Sequence, residues 1–312
     1  MKAVVTGAAG FIGSHVAESL LGDGHEVVGI DCFTDYYPRP IKEANLLRLR
    51  PNPRFALVEE RLQDADLAPL LDGAAHVYHL AAQAGVRASW GREFSHYTDH
   101  NVLATQRLLE AALAAGRPTV VYASSSSVYG DAPSLPLRED GPCQPVSPYG
   151  VTKLAAEHLA VLYHRNHGLP TVSLRFFTVY GPRQRPDMAF HRFLRAARDG
   201  GGVTVFGDGL QTRDFTYVDD IVAALRAAAL SGRPGSVYNV GGGERIALND
   251  VLRLVGQITG RPLHIERQES QKGDMRDTFA DTTAAARDLG FRSTVPLAEG
   301  LAREWRWLRE AR

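Results

Sequence analysis

Three observations predict an α/β fold built on a doubly wound parallel sheet. A glycine-punctuated turn joins the first strand to the first helix, strands alternate with helices through the first half, and a mid-chain strand ends on four consecutive serines. Such alternation favours parallel sheets, whose crossovers are helices. The first strand, Lys2-Ala3-Val4-Val5-Thr6, runs into Gly7, Gly10 and Gly13, with Phe11 and Ile12 between them. An amphipathic helix follows, with Val16, Ala17, Leu20 and Leu21 on its inner face. The glycines allow a tight turn and close approach of a pyrophosphate, and the helix amino terminus presents unpaired N–H groups to its charge. The next strand, Glu26-Val27-Val28-Gly29-Ile30, ends at Asp31, a carboxylate placed to accept from both hydroxyls of an adenosine ribose and to repel a 2′-phosphate. NAD is therefore expected over NADP, although nearby Lys42 is also placed to reach a phosphate.

Residues 55–58, 77–80 and 119–123 read as further strands, and a helix of about 20 residues is expected around 94–115. After Arg175 the pattern loosens into Pro- and Gly-rich loops at 181–186, 200–202, 207–209 and 241–243, with short helices between them. That composition reads more easily as a lid over a ligand than as a second core. The expected division is an NAD-binding domain of the Rossmann type over 1–175, which includes the helix of Tyr149 and Lys153. A smaller mixed α/β part for substrate covers 176–312, with some segments returning to the first domain.

Composition narrows the class. The 312 residues are 44% hydrophobic, enough for one big domain or a large domain carrying a smaller one. The 35 basic and 35 acidic residues cancel, which points away from nucleic acid and anionic membranes as partners. No apolar run approaches the roughly 18 residues of a membrane span. Cys32 and Cys143 form no C-x-x-C pair, and the amino terminus enters the glycine turn without a secretory signal. A cytoplasmic protein is expected, and the histidines are read as holding no H-x-x-x-H or H-x-H pair, so no metal site is expected.

The strand at 119–123 hands over to Ser124, Ser125, Ser126 and Ser127, whose hydroxyls would stand at the carboxyl edge of the sheet, where open α/β folds bind ligands. Tyr149 precedes Lys153 by four residues, one helical turn away on the same face. The ammonium is expected to hold the phenol well below its free pKa of roughly 10, making Tyr149 a base near neutral pH. A lysine stem packed over a core tyrosine is the plainer reading of the same spacing.

In order along the chain stand Gly7-x-x-Gly10-x-x-Gly13, Asp31, His79-Leu80-Ala81-Ala82, Asn101, Ser125-Ser126-Ser127-Val128-Tyr129-Gly130 and Tyr149-x-x-x-Lys153. Arg175-Phe176-Phe177-Thr178-Val179-Tyr180-Gly181-Pro182 and Arg213-Asp214-Phe215-Thr216-Tyr217-Val218-Asp219-Asp220 follow. With these motifs the chain resembles the extended short-chain dehydrogenase/reductase superfamily, in its nucleotide-sugar epimerase and dehydratase branch, over essentially its whole length. The resemblance implies that NAD is held by the three glycines, Phe11, Ile12, Asp31, Lys42, Leu62, Leu80, Ala81, Ala82, Gln83, Asn101, Tyr149 and Lys153. It places Arg213 on the pyrophosphate of a sugar nucleotide, Val205 and Phe206 under the uracil with Gln211 nearby, Arg276 as a second phosphate ligand and Arg87 near the sugar. Two departures are visible. Glu60-Arg61-Leu62 stands where relatives commonly show Gly-Asp-Ile, leaving the adenine contact to Leu62 and backbone, and Cys32 replaces a frequent Asn.

The implied chemistry has Tyr149, as phenolate, take the proton of the sugar 4-hydroxyl while C4 gives a hydride to NAD+. Ser125 bridges the same oxygen, and Lys153 holds the nicotinamide ribose. If nothing else acts on the resulting ketone, the sugar turns over and takes the hydride back on its other face, giving the 4-epimer. Sugar-nucleotide dehydratases carry Asp-Glu at the positions of Ser126 and Ser127, and UDP-glucuronate decarboxylases carry Glu at that of Ser127. Here both are serines. Thr178, with residues 181–189, looks like the UDP-glucuronate 4-epimerases, whose carboxylate Arg185 would clamp together with Ser126, Ser127 and Thr178. The alternative for Arg185 is a loop residue pairing with Asp187. Alternatives for the chain are a UDP-glucuronate decarboxylase, an epimerase of UDP-glucose or its N-acetyl form, and an NAD-binding module without turnover. The family is commonly dimeric through two long helices, here the one around 94–115 and the one opening at Tyr149.

Overall fold

The computed structural model describes residues 1–131, 134–269, 273 and 275–310. In chain order its strands are β1 (Lys2–Thr6), β2 (Glu26–Ile30), β3 (Phe55–Val58), β4 (Ala74–His79), β5 (Thr119–Ser125) and β6 (Thr171–Phe176). They continue as β7 (Thr178–Tyr180), β8 (Gly202–Phe206), β9 (Thr212–Tyr217), β10 (Val237–Val240), β11 (Arg245–Ala247) and β12 (His264–Gln268). Seven of them form one parallel sheet in the order β10-β6-β5-β4-β1-β2-β3. The winding direction reverses between β1 and β4, which opens a crevice at their carboxyl ends.

Helices cover both faces, and this explains why β1 and β6 are buried along nearly their whole length, β6 even though its polar and apolar residues alternate. Helices Phe11–Gly22 and Val218–Ser231 pack together with the core cluster on one face. Helices Leu67–Leu71, Ala104–Ala114 and Pro148–His167 contribute to the cluster on the other. β11, β9 and β7 make a three-stranded sheet, while β12 and β8 pair in parallel, and residues of β7, β8 and β9 line one cavity with residues at the carboxyl ends of the main sheet.

Two expectations change. The region after Arg175 is no mere lid. β10 joins the main sheet, and Phe190, Leu225, Val255 and Leu301 belong to the same core cluster as Val5 and Val16. Helices of 11 to 14 residues separate the glycine-rich loops, and their apolar faces complete that core. The expected helix around 94–115 also departs from regular form. It is α-helical over Phe94–Tyr97 and Ala104–Ala114 and π-helical over Thr98–Leu103. Such widened turns gather at functional sites, and this one turns Asn101 inward, 1% exposed.

Candidate active site

A cavity of about 790 Å³ opens over the carboxyl edge of the main sheet, from Gly7 and Asp31 at one end to Phe206 and Arg213 at the other. At the first end the turn is fixed by packing. Gly7 has φ +71°, and a Cβ there would lie 2.9 Å from the Ala81 nitrogen, while a Cβ on Gly13 would overlap the Gly7 carbonyl. Bare backbone thus lines the cradle, with the amino terminus of helix Phe11–Gly22 facing it. Asp31 Oδ2 accepts from the Ala9 amide at 3.0 Å and Oδ1 from the Phe33 amide at 2.9 Å, so two backbone donors aim the carboxylate. Burial raises its pKa, opposed by these donors and by Lys42. A glycine-walled cradle followed by an aimed carboxylate fits a dinucleotide.

Behind this cradle runs a buried hydrogen-bond chain whose tautomer follows from the partners. Thr105 Oγ1 donates to the Asn101 carbonyl at 2.6 Å, so it accepts from His79 Nε2 at 2.9 Å. His79 Nδ1 is then an acceptor for the Thr6 hydroxyl at 2.8 Å, and Thr6 Oγ1 receives the amides of Leu80 and Ala81. Burial pushes His79 down to about 3, which keeps it neutral. Asn101 accepts from the Gln83 amide at 2.7 Å and donates to Thr152 Oγ1 at 2.9 Å, and Thr152 donates in turn to the Tyr149 carbonyl at 2.8 Å. Asn101 does not line the cavity. It ties Gln83, which does, to the helix of Tyr149.

Ser125, Tyr149 and Lys153 all line the cavity. The helix that carries the last two starts at Pro148, where Ser147 Oγ accepts from the Gly150 amide at 3.1 Å. Tyr149 lies edge-on to Tyr97 at 6.2 Å. The expected lowering of its pKa by Lys153 does not hold here. Burial raises the phenol, and the opposing influences are Arg185 and Ser125. The reason is the position of the ammonium: Lys153 Nζ lies 4.6 Å from the Tyr122 ring centre and is itself pushed down to about 7 by burial, against Glu157. Under the serines sits a buried ion pair. Arg175 donates twice to Glu157, at 3.0 and 2.6 Å, and Ser124 Oγ donates to Glu157 at 2.6 Å.

At the second end, Arg87 lies 4.2 Å over the Phe206 ring, and Gln211 Nε2 donates to the Phe206 carbonyl at 2.9 Å. Arg213 lines the cavity and donates to the carbonyls of Thr212 and Arg276. Ser126, Ser127, Thr178, Arg185 and Val205 complete the wall with the candidates already placed. Arg185 also forms the Asp187 pair.

Besides Asn101, two candidates stand off that wall and a third stands on it with a partner of its own. Leu62 is 5% exposed and packs with Val28, Ile30 and Leu67 because the chain turns it into the core between β3 and helix Leu67–Leu71, off the cavity wall. Arg276 stands outside that wall and donates to Asp208 at 3.1 Å, drawn there by the opposite charge. Lys42 lines the cavity but donates to the Thr34 carbonyl at 2.6 Å, so its ammonium caps a turn beside Asp31. Sequence reasoning missed Tyr36 and named Asp187 only as a pairing partner of Arg185; both stand on the wall. His96 and His100 do form an H-x-x-x-H pair, yet among the described residues no group of three His, Cys, Asp or Glu could hold a metal ion.

Fold and site together define a dinucleotide-binding enzyme whose serine, tyrosine and lysine stand at the sheet's carboxyl edge. Residues 3–241 match the model of the NAD dependent epimerase/dehydratase family, and the chain belongs to that family. It is similar to the uncharacterized UDP-glucose epimerase YtcB of Bacillus subtilis, at 46% identity over 99% of this chain and 98% of that one. It is 36% identical to a probable UDP-glucuronate 4-epimerase of Rhizobium meliloti, over 98% of this chain and 96% of that one. The crystal structure of UDP-glucuronic acid 4-epimerase from Bacillus cereus, in complex with UDP-glucuronic acid and NAD, matches with a TM-score of 0.97 and 43% identity, over 100% of both chains.

Proposed function

We propose that this protein is a UDP-glucuronate 4-epimerase, an isomerase that interconverts UDP-glucuronic acid and UDP-galacturonic acid through a 4-keto intermediate with NAD as cofactor. The observation that carries the reading is the cavity wall where Arg185 stands with Ser126, Ser127 and Thr178 near Tyr149. Three hydroxyls and a planar cation suit a carboxylate at C6. NAD, when bound, supplies the hydride acceptor and a positive ring that favours the phenolate. Tyr149 takes the 4-hydroxyl proton and returns it, Ser125 bridges that oxygen, and Lys153 holds the cofactor ribose. No carboxylic acid stands at 126 or 127 to expel a 6-hydroxyl. The Arg185 clamp also restrains the carboxylate of the 4-keto acid, a β-keto acid prone to losing carbon dioxide.

The glycine cradle, Asp31 and residues 80–83 serve the cofactor, and Arg87, Val205, Phe206, Gln211 and Arg213 serve the nucleotide of the substrate. The cofactor part is thus mainly 1–175 and the substrate part mainly 176–312, with Arg87, Ser125, Ser126, Ser127 and Tyr149 reaching the substrate from the first. Replacing Arg185 by Ala is expected to lower kcat/KM for UDP-glucuronic acid at least tenfold more than for UDP-glucose, a difference of about 1.4 kcal/mol. Equal losses on both would remove the reason for assigning it to the carboxylate. A homodimer is proposed through the helical run over 94–114 and helix Pro148–His167, where Leu103, Val151 and Leu162 are exposed. Sedimentation at the mass of one 34.0 kDa chain would refute it. The proposed compartment is the cytoplasm, in keeping with two cysteines that form no disulfide; disulfide-linked chains from intact cells would argue otherwise.

A further inference from the structure

The guanidinium assigned to the C6 carboxylate already carries a carboxylate. Arg185 donates through Nε to Asp187 Oδ1 at 3.0 Å and through Nη2 to Asp187 Oδ2 at 2.9 Å. This is the two-point geometry that a guanidinium offers any carboxylate. Tyr36 Oη donates to the same Asp187 Oδ2 at 3.3 Å, and the Tyr36 ring centre lies 5.9 Å from the Arg185 guanidinium carbon. Gly85, at φ +103°, makes room for the Tyr36 hydroxyl, since a Cβ there would overlap it. Arg185, Asp187 and Tyr36 share the cavity wall with Ser126, Ser127 and Thr178.

We propose that Asp187 is an internal stand-in for the substrate carboxylate, which occupies the two-point face of Arg185 until substrate displaces it. In this way Asp187 sets how strongly the enzyme prefers a C6 carboxylate over a C6 hydroxymethyl group. The inference rests on the reading of Arg185 given above. A carboxylate substrate takes that face only from the fraction of sites in which Asp187 has let go, so its apparent affinity falls by that fraction. A neutral C6 group meets a cation whose charge is already compensated and displaces nothing. Asp187 therefore narrows the gap between the two substrates, and Tyr36 holds it in the competing position.

The test is steady-state kinetics on the full-length enzyme with UDP-glucuronic acid and with UDP-glucose, for wild type, Asp187→Asn, Tyr36→Phe and Arg185→Ala. Asp187→Asn is expected to lower KM for the glucuronate about 3–10-fold, with kcat within about twofold and no matching fall for UDP-glucose. Tyr36→Phe is expected to shift the same ratio in the same direction by less, and it carries the test if Asp187→Asn does not fold. A raised KM for the glucuronate, or equal changes for both substrates, would mean that Asp187 orients Arg185 or the loop, and the proposal would fall. Arg185→Ala separates the two levels. If it leaves the preference between substrates intact, the reading of Arg185 is itself wrong; if it collapses the preference while Asp187→Asn leaves it unchanged, only the stand-in is wrong.

Discussion

Tyr149 and Lys153 share a helix face, yet each is shaped by burial more than by the other. The phenol is raised, with Arg185 and Ser125 pulling it back, and the amine is lowered to about 7. Replacing Tyr149 by Phe is expected to cut kcat by about 10²–10⁴ or more while NAD stays bound, checked by turnover and by cofactor content after gel filtration. Loss of NAD along with activity would make the residue structural. Lys153 gives a pH signature in the ligand-free protein. Its folded pKa lies below its unfolded value of about 10.4, so below pH 7 both states hold the proton and the fold carries the whole burial penalty. Above pH 7 the unfolded chain binds more protons, and stability rises with pH. From pH 7 to pH 9 the wild type should gain about 2 kcal/mol relative to Lys153→Met, read from urea midpoints. A constant difference between the two proteins would show that the amine stays charged.

At the scale of elements, the cradle is a contact between three backbones. Gly7 follows β1 directly, the following helix packs Gly13 onto the Gly7 carbonyl, and the loop after β4 packs Ala81 onto Gly7. Replacing Gly13 by Ala pushes the helix off the turn, so NAD affinity is expected to fall at least about tenfold in calorimetric titration. Unchanged affinity would mean that the helix shifts without opening the cradle. The π-helical segment over Thr98–Leu103 belongs at this scale too, since it places Asn101 between Gln83 and Thr152 and so joins the loop over 80–83 to the helix of Tyr149. The loop over 181–189 is fastened at both ends. Arg183 reaches Ser14 and Glu18 on the first helix, while Gln184 braces Val179 and the His191 amide.

Across the whole molecule, what the sequence made legible is what depends on neighbours in sequence: the glycine turn, Asp31, the serine run, the Tyr149 and Lys153 spacing, and the strands of the first half. What stayed hidden depends on packing between distant segments. Leu62 faces the core because of the short helix that follows it, Arg276 is captured by Asp208, and Lys153 leans from its helix onto Tyr122 of β5. Glycine and proline between residues 181 and 243 masked helices whose apolar faces close the core, and no local signal marks β10 as a partner of β6. The most direct test of the account as a whole is NMR of the products formed from UDP-glucuronic acid and NAD+ by the purified enzyme. UDP-galacturonic acid without loss of carbon dioxide is the predicted result, and UDP-xylose with carbon dioxide would contradict it.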